Sequence, residues 1–387
     1  MNYPAQNKET RRNDLFVTCS QGLEPLLAEE LEQLGCEISS LGFRGVYVKG
    51  TELSTIYRIN YCSRLGGRVL LPLLRFRCRD RYALYDGVLT IDWEQYIPKG
   101  KTFAIDANVH HRELRNSLFA AQIAKDAICD QFKDKTGERP SVDTKNPDIQ
   151  LNLYIDNELA VMSFDTSGIP LYKRGYRQET VEAPIQESLA AALLILASYK
   201  GDEITYDPCC GSGTLLIEAA LLATHTPPGY LRKNWGFMSL PNFSNDEWLK
   251  IKNEADKKII PLEKRRLFGT DINKDTVRVC RTNLRASGFH TAVEIIHHDF
   301  RDFTPSIVPT LLISNPPHGG RLEDVDSLRP LYRSLGDFMK REMAKPSRGF
   351  IFTGSLDLTK EVGLAAKKRH VLNNSGVESR LLEFDLY

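Results

Sequence analysis

The sequence predicts an α/β chain in two parts, an α+β portion followed by a doubly wound parallel sheet. Three observations carry that reading. From Pro184 onward, apolar strand-like runs alternate strictly with segments of helical period, the pattern of parallel strands joined through helices. Asp207 to Ala220 reads D-P-C-C-G-S-G-T-L-L-I-E-A-A, a strand end, a glycine turn and a helix start in succession. Before Pro184, strands and helices mix at short intervals, and one pair of alternating runs reads as a hairpin.

In the first portion, residues 14–19 read as a strand, 23–34 as a helix closed by Gly35, and 37–49 as two further strand-like runs. A helix over 53–60 leads to the apolar run Arg68 to Leu74, and a helix from Arg81 to Trp93 precedes the Pro98-Lys99-Gly100 turn. A strand over 102–109 comes next. Leu114 to Phe132 places Leu118, Ala121, Ile123, Ala124, Ile128 and Phe132 at mixed three and four spacing, which predicts a helix. Strands 149–155 and 159–164 meet at Asp156-Asn157-Glu158. In the second portion the order is a helix to Ala197, strand 203–207, helix 213–223, strand 266–272, helix 274–286 and strands 293–298 and 309–314. A helix over 331–343, strand 349–353 and a strand pair ending at Tyr387 complete it. Residues 225–265 interrupt this alternation with Pro227-Pro228-Gly229, aromatics and a charged helix, and are expected to cover the site beside the glycine turn.

A chain of 387 residues with 42% hydrophobic and 26% charged content has room for two or three domains with their own cores. Disorder is expected only in the first dozen residues. Met1 to Arg12 is polar, and no apolar run approaches the roughly 20 residues that span a bilayer, so a cytoplasmic protein without membrane contact is expected. The net charge of +1 means that a nucleic-acid partner must be met by local basic patches. Eight cysteines, with no C-x-x-C pair and no histidine at finger spacing, argue against a metal site. Cys209 and Cys210 read as packing behind the glycine turn rather than as redox groups.

Ligands of doubly wound sheets sit outside the carboxyl ends of the strands. Asp207, Asp271 and Asp299 stand at three such ends and Asn315 at a fourth. Asp271 is placed to accept from ribose hydroxyls, and Asp299 from an adenine amine. The turn itself supplies Pro208, Gly211, Gly213 and Thr214. It lacks the third glycine of a dinucleotide fingerprint, and Glu218 adds negative charge behind it, which favours a zwitterionic ligand over a diphosphate. S-adenosylmethionine fits that description. A nicotinamide oxidoreductase would need a fingerprint and a hydride-handling residue that the sequence does not carry.

Leu311-Leu312-Ile313-Ser314 runs into Asn315-Pro316-Pro317-His318-Gly319-Gly320-Arg321. Two prolines fix the backbone so that the Asn315 side-chain oxygen and the Pro316 carbonyl can both accept from one exocyclic amine, with His318 stacking on its base. For RNA contacts, Arg75, Arg77 and Arg79 form one basic face if that stretch is extended, a solvated edge being the alternative. Lys173, Arg174 and Arg177 mix with Tyr176 as single-strand contacts do, or form a linker packed on the catalytic domain.

With Gly22-Leu23-Glu24, Asp92-Trp93, Arg115-Asn116-Ser117, Leu171 to Arg177 and Trp235-Gly236-Phe237, these motifs resemble the THUMP-domain class I S-adenosylmethionine-dependent RNA methyltransferases. The resemblance is to the guanine-N2 half of the fused bacterial 23S rRNA enzymes. It implies a ferredoxin-like module over 1–50, a THUMP RNA-binding domain over 51–166 and a Rossmann-like methyltransferase domain over 167–387. It further implies methylation of a guanine N2 amine in 23S rRNA before full subunit assembly. A tRNA guanine-N2 methyltransferase, an adenine-N6 DNA methyltransferase and a non-catalytic RNA-binding protein are the alternatives. Two departures stand out. His318 occupies the position of the family's tyrosine, and the chain stops at Tyr387 without a second methyltransferase domain.

Overall fold

The structure is a computed structural model that describes residues 14–181, 184–319, 322–374 and 376–387. The chain forms two compact units. One holds the residues up to Cys19 with Leu27–Leu171 and Arg232–Asn253, and the other holds Ser20–Leu26, Tyr172–Leu231 and Glu254–Tyr387.

Up to Asp165 the chain forms β1 (Leu15–Thr18), α1 (Glu24–Gln33), β2 (Ile38–Gly42), β3 (Gly45–Val48), α2 (Leu53–Cys62), β4 (Val69–Arg77), α3 (Arg81–Leu89), β5 (Phe103–His110), α4 (Ser117–Thr136), β6 (Ile149–Asp156) and β7 (Leu159–Asp165). The strands make one sheet in the order β2-β3-β1-β4-β7-β6-β5, antiparallel except for the parallel pair β5 and β6. Alternation along β6 sets its faces: Leu151, Leu153 and Ile155 are fully buried while Tyr154 is exposed. The hairpin turns at Asn157, whose positive φ of 52° suits its short polar side chain.

Two boundaries move for local reasons. The helix expected from Leu114 starts at Ser117, because Asn116 accepts a hydrogen bond from the Phe119 amide and caps it there. The helix expected to reach Trp93 stops at Leu89. Trp93 instead sits in a short 3-10 turn, fully buried, and donates its indole N–H to the Val88 carbonyl at 2.9 Å.

From Pro184 the chain forms α5 (Glu187–Leu196), β8 (Thr205–Asp207), α6 (Thr214–Ala223), α7 (Asn245–Asp256), β9 (Leu267–Asp271), α8 (Lys274–Ser287), β10 (Val293–His297), β11 (Leu311–Ser314), α9 (Leu322–Arg341), β12 (Ser347–Thr353), α10 (Leu356–Glu361), β13 (Lys368–Asn374) and β14 (Val377–Leu386). The sheet order is β10-β9-β8-β11-β12-β14-β13, with β14 antiparallel to both its neighbours and the other pairs parallel. The order reverses between β8 and β11, so their carboxyl ends open a crevice. α9 begins nearer its N-terminus than expected and carries Pro330 inside it. Tyr332, Leu335, Phe338 and Met339 bury fully or nearly so against Tyr206 and Phe300, and this packing outweighs the proline as a helix boundary.

Most of the interruption after α6 is built into the first unit, to which Arg232–Asn253 belongs. Phe237 lies 4.7 Å from the Tyr57 ring and Trp248 5.3 Å from the Tyr61 ring, centroid to centroid. The Arg232 guanidinium covers Trp235 at 4.0 Å while donating to the Ser167 and Ile169 carbonyls. Gly236 comes so near the chain that an added Cβ would stand 2.3 Å from the Asp165 carbonyl oxygen. Burial of large aromatic surface drives this packing.

Among the described residues, no helix is long and apolar enough to cross a membrane, and no group of three or more His, Cys, Asp or Glu side chains could hold a metal ion.

Candidate active site

The crevice at the carboxyl ends of β8 and β11 is a cavity of about 590 Å³ lined by residues from the glycine turn, from Asp271 to Thr276, from Asn315 to Gly319, and by Val181, Pro184 and Ile185. Its size is that of a site for a nucleoside-sized ligand.

The glycine turn is shaped by two residues with positive φ. Gly211, at 54°, lines the cavity, and a Cβ there would meet no atom within 4 Å, so the missing side chain leaves room for a ligand against the backbone. Gly213, at 82°, stands at the N-terminus of α6, where a Cβ would fall 2.6 Å from the Cys280 sulfur. Thr270 fixes the turn from β9: its hydroxyl donates to the Pro208 carbonyl at 3.0 Å, and its carbonyl accepts from the Cys210 amide at 3.0 Å.

Asp271 accepts from the Gly211 amide at 3.1 Å and the Asn273 amide at 2.9 Å, one bond on each oxygen, which leaves lone pairs for ligand hydroxyls. Asp207 is buried. It accepts from the Ser314 hydroxyl at 2.6 Å and the Cys209 amide at 3.2 Å. Burial pushes its carboxyl up to about 7, against the pull of those two hydrogen bonds, and the Asp271 charge adds to the rise.

Asn315 reaches the cavity from β11 with its side-chain oxygen buried and without a hydrogen-bond partner. A buried acceptor left so costs about 1–3 kcal/mol, and an incoming amine would relieve it. Pro316 and Pro317 fix the chain beyond it, and both line the cavity. His318 also lines it, with Nδ1 3.4 Å from the Pro316 carbonyl oxygen and its ring against Gly354. Gly320 and Arg321, the last residues of that run, lie outside the described residues.

The structure thus brings Asp207, Gly211, Thr214, Asp271, Asn315, Pro316, Pro317 and His318 to one cavity. Pro208 and Gly213 stand behind it as supports. Asp299 does not line it: its carboxylate caps the turn after β10, accepts from the Arg301 amide at 3.0 Å and is ion-paired to the Arg301 guanidinium, which holds it below the usual carboxylate range.

The basic residues fall differently from expectation. Arg174 is buried, with Nε 3.5 Å from the carboxylate of Glu218, which also accepts from the Tyr176 hydroxyl at 2.9 Å. A guanidinium spent on a buried carboxylate is withdrawn from any surface partner, so Arg174 is not an RNA contact. The same pair neutralises Glu218, so that residue adds no free negative charge behind the turn, and the preference for a zwitterionic ligand rests on the turn and the strand-end carboxylates. Arg177 is likewise turned inward, onto Glu187, Ser212, Thr214 and the Ile185 carbonyl. Lys173 remains exposed.

In the other unit, Arg75 lies 5.8 Å from the centroid of the Tyr47 ring, and Arg77 pairs with Glu158 at 2.6 Å. Arg79 is exposed just beyond the end of β4. The extended run expected to carry all three therefore ends before the last of them.

Sequence reasoning missed Ser314 and Asn283 as parts of the cavity's support, because their partners are distant in the chain, while Arg177 follows the alternative of a linker packed on the catalytic domain. It also missed that Cys209 and Cys210 line the cavity. Burial pushes the Cys209 thiol up, and a hydrogen bond with Cys280 together with burial pushes the Cys210 thiol up, away from the reactive thiolate, which agrees with a packing role.

Three family profiles match this chain in order: one described as the RlmL ferredoxin-like domain over residues 14–70, the THUMP domain over 78–165, and the RMKL-like methyltransferase domain over 174–382. This chain belongs to the RMKL-like methyltransferase family. It is 38% identical to the ribosomal RNA large subunit methyltransferase K/L of Methylococcus capsulatus over 96% of its own length and 51% of that protein's, so the chain spans about half the length of that relative. A Synechocystis protein named as a candidate RNA methyltransferase is 34% identical and covered over 96% of both chains.

Two crystal structures share the fold along nearly the whole length. SMU.472, a candidate methyltransferase complexed with S-adenosylhomocysteine, superimposes with a TM-score of 0.85 at 29% identity over 97% of this chain and 98% of that one. A Listeria monocytogenes protein named as an N6-adenine-specific DNA methylase gives 0.83 at 26% identity over 98% of each chain. The cofactor of the RMKL-like methyltransferase domain is S-adenosylmethionine; in the cavity Gly211 leaves the backbone open and Asp271 keeps free acceptors.

Proposed function

We propose that this chain transfers a methyl group from S-adenosylmethionine to the N2 amine of a guanine in large-subunit ribosomal RNA, in the cytoplasm and before the subunit is fully assembled. The single observation that carries the site chemistry is the unpartnered, buried side-chain oxygen of Asn315 in the same cavity as Gly211 and Asp271. The choice of RNA rests on the THUMP match and on the names of the relatives.

S-adenosylmethionine, when bound, would supply an electrophilic methyl group on a sulfonium and depart as S-adenosylhomocysteine, the surplus proton of the methylated amine passing to water. The chain does the rest by placement. Asn315 and the Pro316 carbonyl hold the two amine hydrogens and aim the nitrogen lone pair into the cavity, while His318 presents its ring to the base. Asp271 takes the ribose, and the turn at Gly211 takes the main body of the donor. Alignment of two held groups lowers the barrier without strong acid or base help. A guanine inside a helix has to leave the stack to reach Asn315, so exposed cations such as Arg79 and Lys173 are assigned to flanking phosphates.

The test is mass-spectrometric mapping of methylated nucleosides in ribosomal RNA, transfer RNA and DNA from a strain lacking this protein. Loss of one N2-methylguanine in 23S RNA is the expected result. Loss of a transfer-RNA guanine mark or of N6-methyladenine in DNA would replace the substrate, the latter in line with the name of the Listeria neighbour. Asn315→Ala should abolish turnover while leaving donor affinity near that of the wild type, and normal turnover would refute the orienting role.

A further inference from the structure

We propose that Arg177 and Asn283 are positioning residues that hold the wall of the donor cavity at Val181, Pro184 and Ile185 against the glycine turn. This rests on the donor-cavity reading above and extends it to residues that touch no reacting atom.

Arg177 precedes that wall and is largely buried, with a side chain 19% exposed. Four of its five N–H groups are engaged. Nε donates to the Glu187 carboxylate at 2.8 Å, Nη2 to the Ile185 carbonyl at 2.9 Å and to the Thr214 hydroxyl at 3.0 Å, and Nη1 to the Ser212 hydroxyl at 3.3 Å. One side chain thus ties the wall at Ile185, the start of α5 and the turn into α6.

Asn283, buried on α8, makes the second tie. Its oxygen accepts from the Gln178 and Glu179 amides at 2.9 and 3.2 Å, and its nitrogen donates to the Glu179 and Ser212 carbonyls at 3.1 and 3.2 Å. Ser212 is the common point: its hydroxyl meets Arg177, its carbonyl meets Asn283, and the residue itself lines the cavity.

Four acceptors around one guanidinium need its planar array of donors. A lysine ammonium could keep the Glu187 pair but could not span the rest. The arrangement assigns Arg177 to donor binding, since a cavity wall fixed before the ligand arrives spares the ordering cost at binding. A cation this deep and this engaged is also withdrawn from RNA.

The experiment measures donor affinity by calorimetry with S-adenosylmethionine, donor KM and kcat, affinity for a 23S RNA fragment, and the melting temperature, for wild type, Arg177→Met, Arg177→Lys and Asn283→Ala. The expected result is donor affinity weakened at least tenfold in Arg177→Met and Asn283→Ala at temperatures where both are folded. Donor KM should rise more than kcat falls, Arg177→Lys should be intermediate, and RNA affinity should stay within twofold of wild type. Donor affinity within twofold of wild type in both variants would overturn the proposal, and so would a selective loss of RNA affinity in Arg177→Met. Where Arg177→Met fails to fold, Asn283→Ala decides by the same criteria. A wild-type chain that does not bind S-adenosylmethionine would instead defeat the donor-cavity reading, and this inference with it.

Discussion

Asp271 and Asp207 stand on neighbouring strands but do different work. Asp271 keeps free lone pairs at the cavity, so Asp271→Ala should weaken S-adenosylmethionine binding by about 1–3 kcal/mol, the cost of leaving hydroxyls unpaired. Calorimetry showing unchanged affinity would remove it from the site. Asp207 is buried, and its folded-state carboxyl sits at about 7 against an ordinary 3.8. The folded chain therefore holds a proton that the unfolded chain releases. The sign is that of a raised acid: the stabilising contribution is complete below about pH 4 and is lost as pH rises through about 7. Asp207→Asn keeps the acceptor for Ser314 and removes the titration. Urea midpoints of wild type should fall relative to that variant between pH 5 and pH 8, and parallel midpoints across that range would contradict this account. Asp207, Asp271 and Asn315 were legible in the sequence, because strand ends in a doubly wound sheet can be read from alternation. Ser314 was not, since its bond to Asp207 exists only once β8 and β11 are neighbours.

At the scale of an element, the turn from β8 into α6 depends on two glycines with opposite requirements. Gly213→Ala would place a Cβ in the left-handed region and against Cys280, which should cost about 1–3 kcal/mol of stability. Gly211→Ala has open space around its Cβ, and its backbone cost is about 1 kcal/mol. Because that space belongs to the cavity, Gly211→Ala should lose donor affinity out of proportion to its stability. Thermal melts paired with donor titrations separate the two, and a Gly211→Ala protein with wild-type donor affinity would show that the ligand does not approach this backbone. α9 teaches a different lesson about elements. Pro330 is a local stop signal, yet the helix runs through it because the apolar face beyond it buries against Tyr206 and Phe300. Local preference lost to packing, which a reading by window cannot weigh.

At the scale of the whole molecule, the two units are not two successive stretches of chain. Arg232–Asn253 supplies Trp235, Phe237 and Trp248 to the unit built mainly from the first 171 residues. A fragment ending at Leu171 would leave Tyr57 and Tyr61 without these rings. It should therefore be less soluble than the full chain and bind apolar dyes, where a monomeric fragment with native-like melting would contradict the packing. In the full chain, Phe237→Ala removes a fully buried ring and should cost about 3–5 kcal/mol, read from chemical denaturation.

Alternation of apolar runs, the placement of carboxylates at strand ends and the two proline-glycine motifs follow from short-range chemistry, and they were enough to specify a doubly wound sheet, its crevice and its cofactor. The burial of Arg174 on Glu218, the inward turn of Arg177, the exclusion of Asp299 from the cavity and the transfer of Trp235 and Phe237 to the other unit were decided only by the tertiary structure. A charge in a sequence has no fixed partner. Whether it faces water or a buried carboxylate depends on which distant segment packs against it, and that choice is made by the fold as a whole.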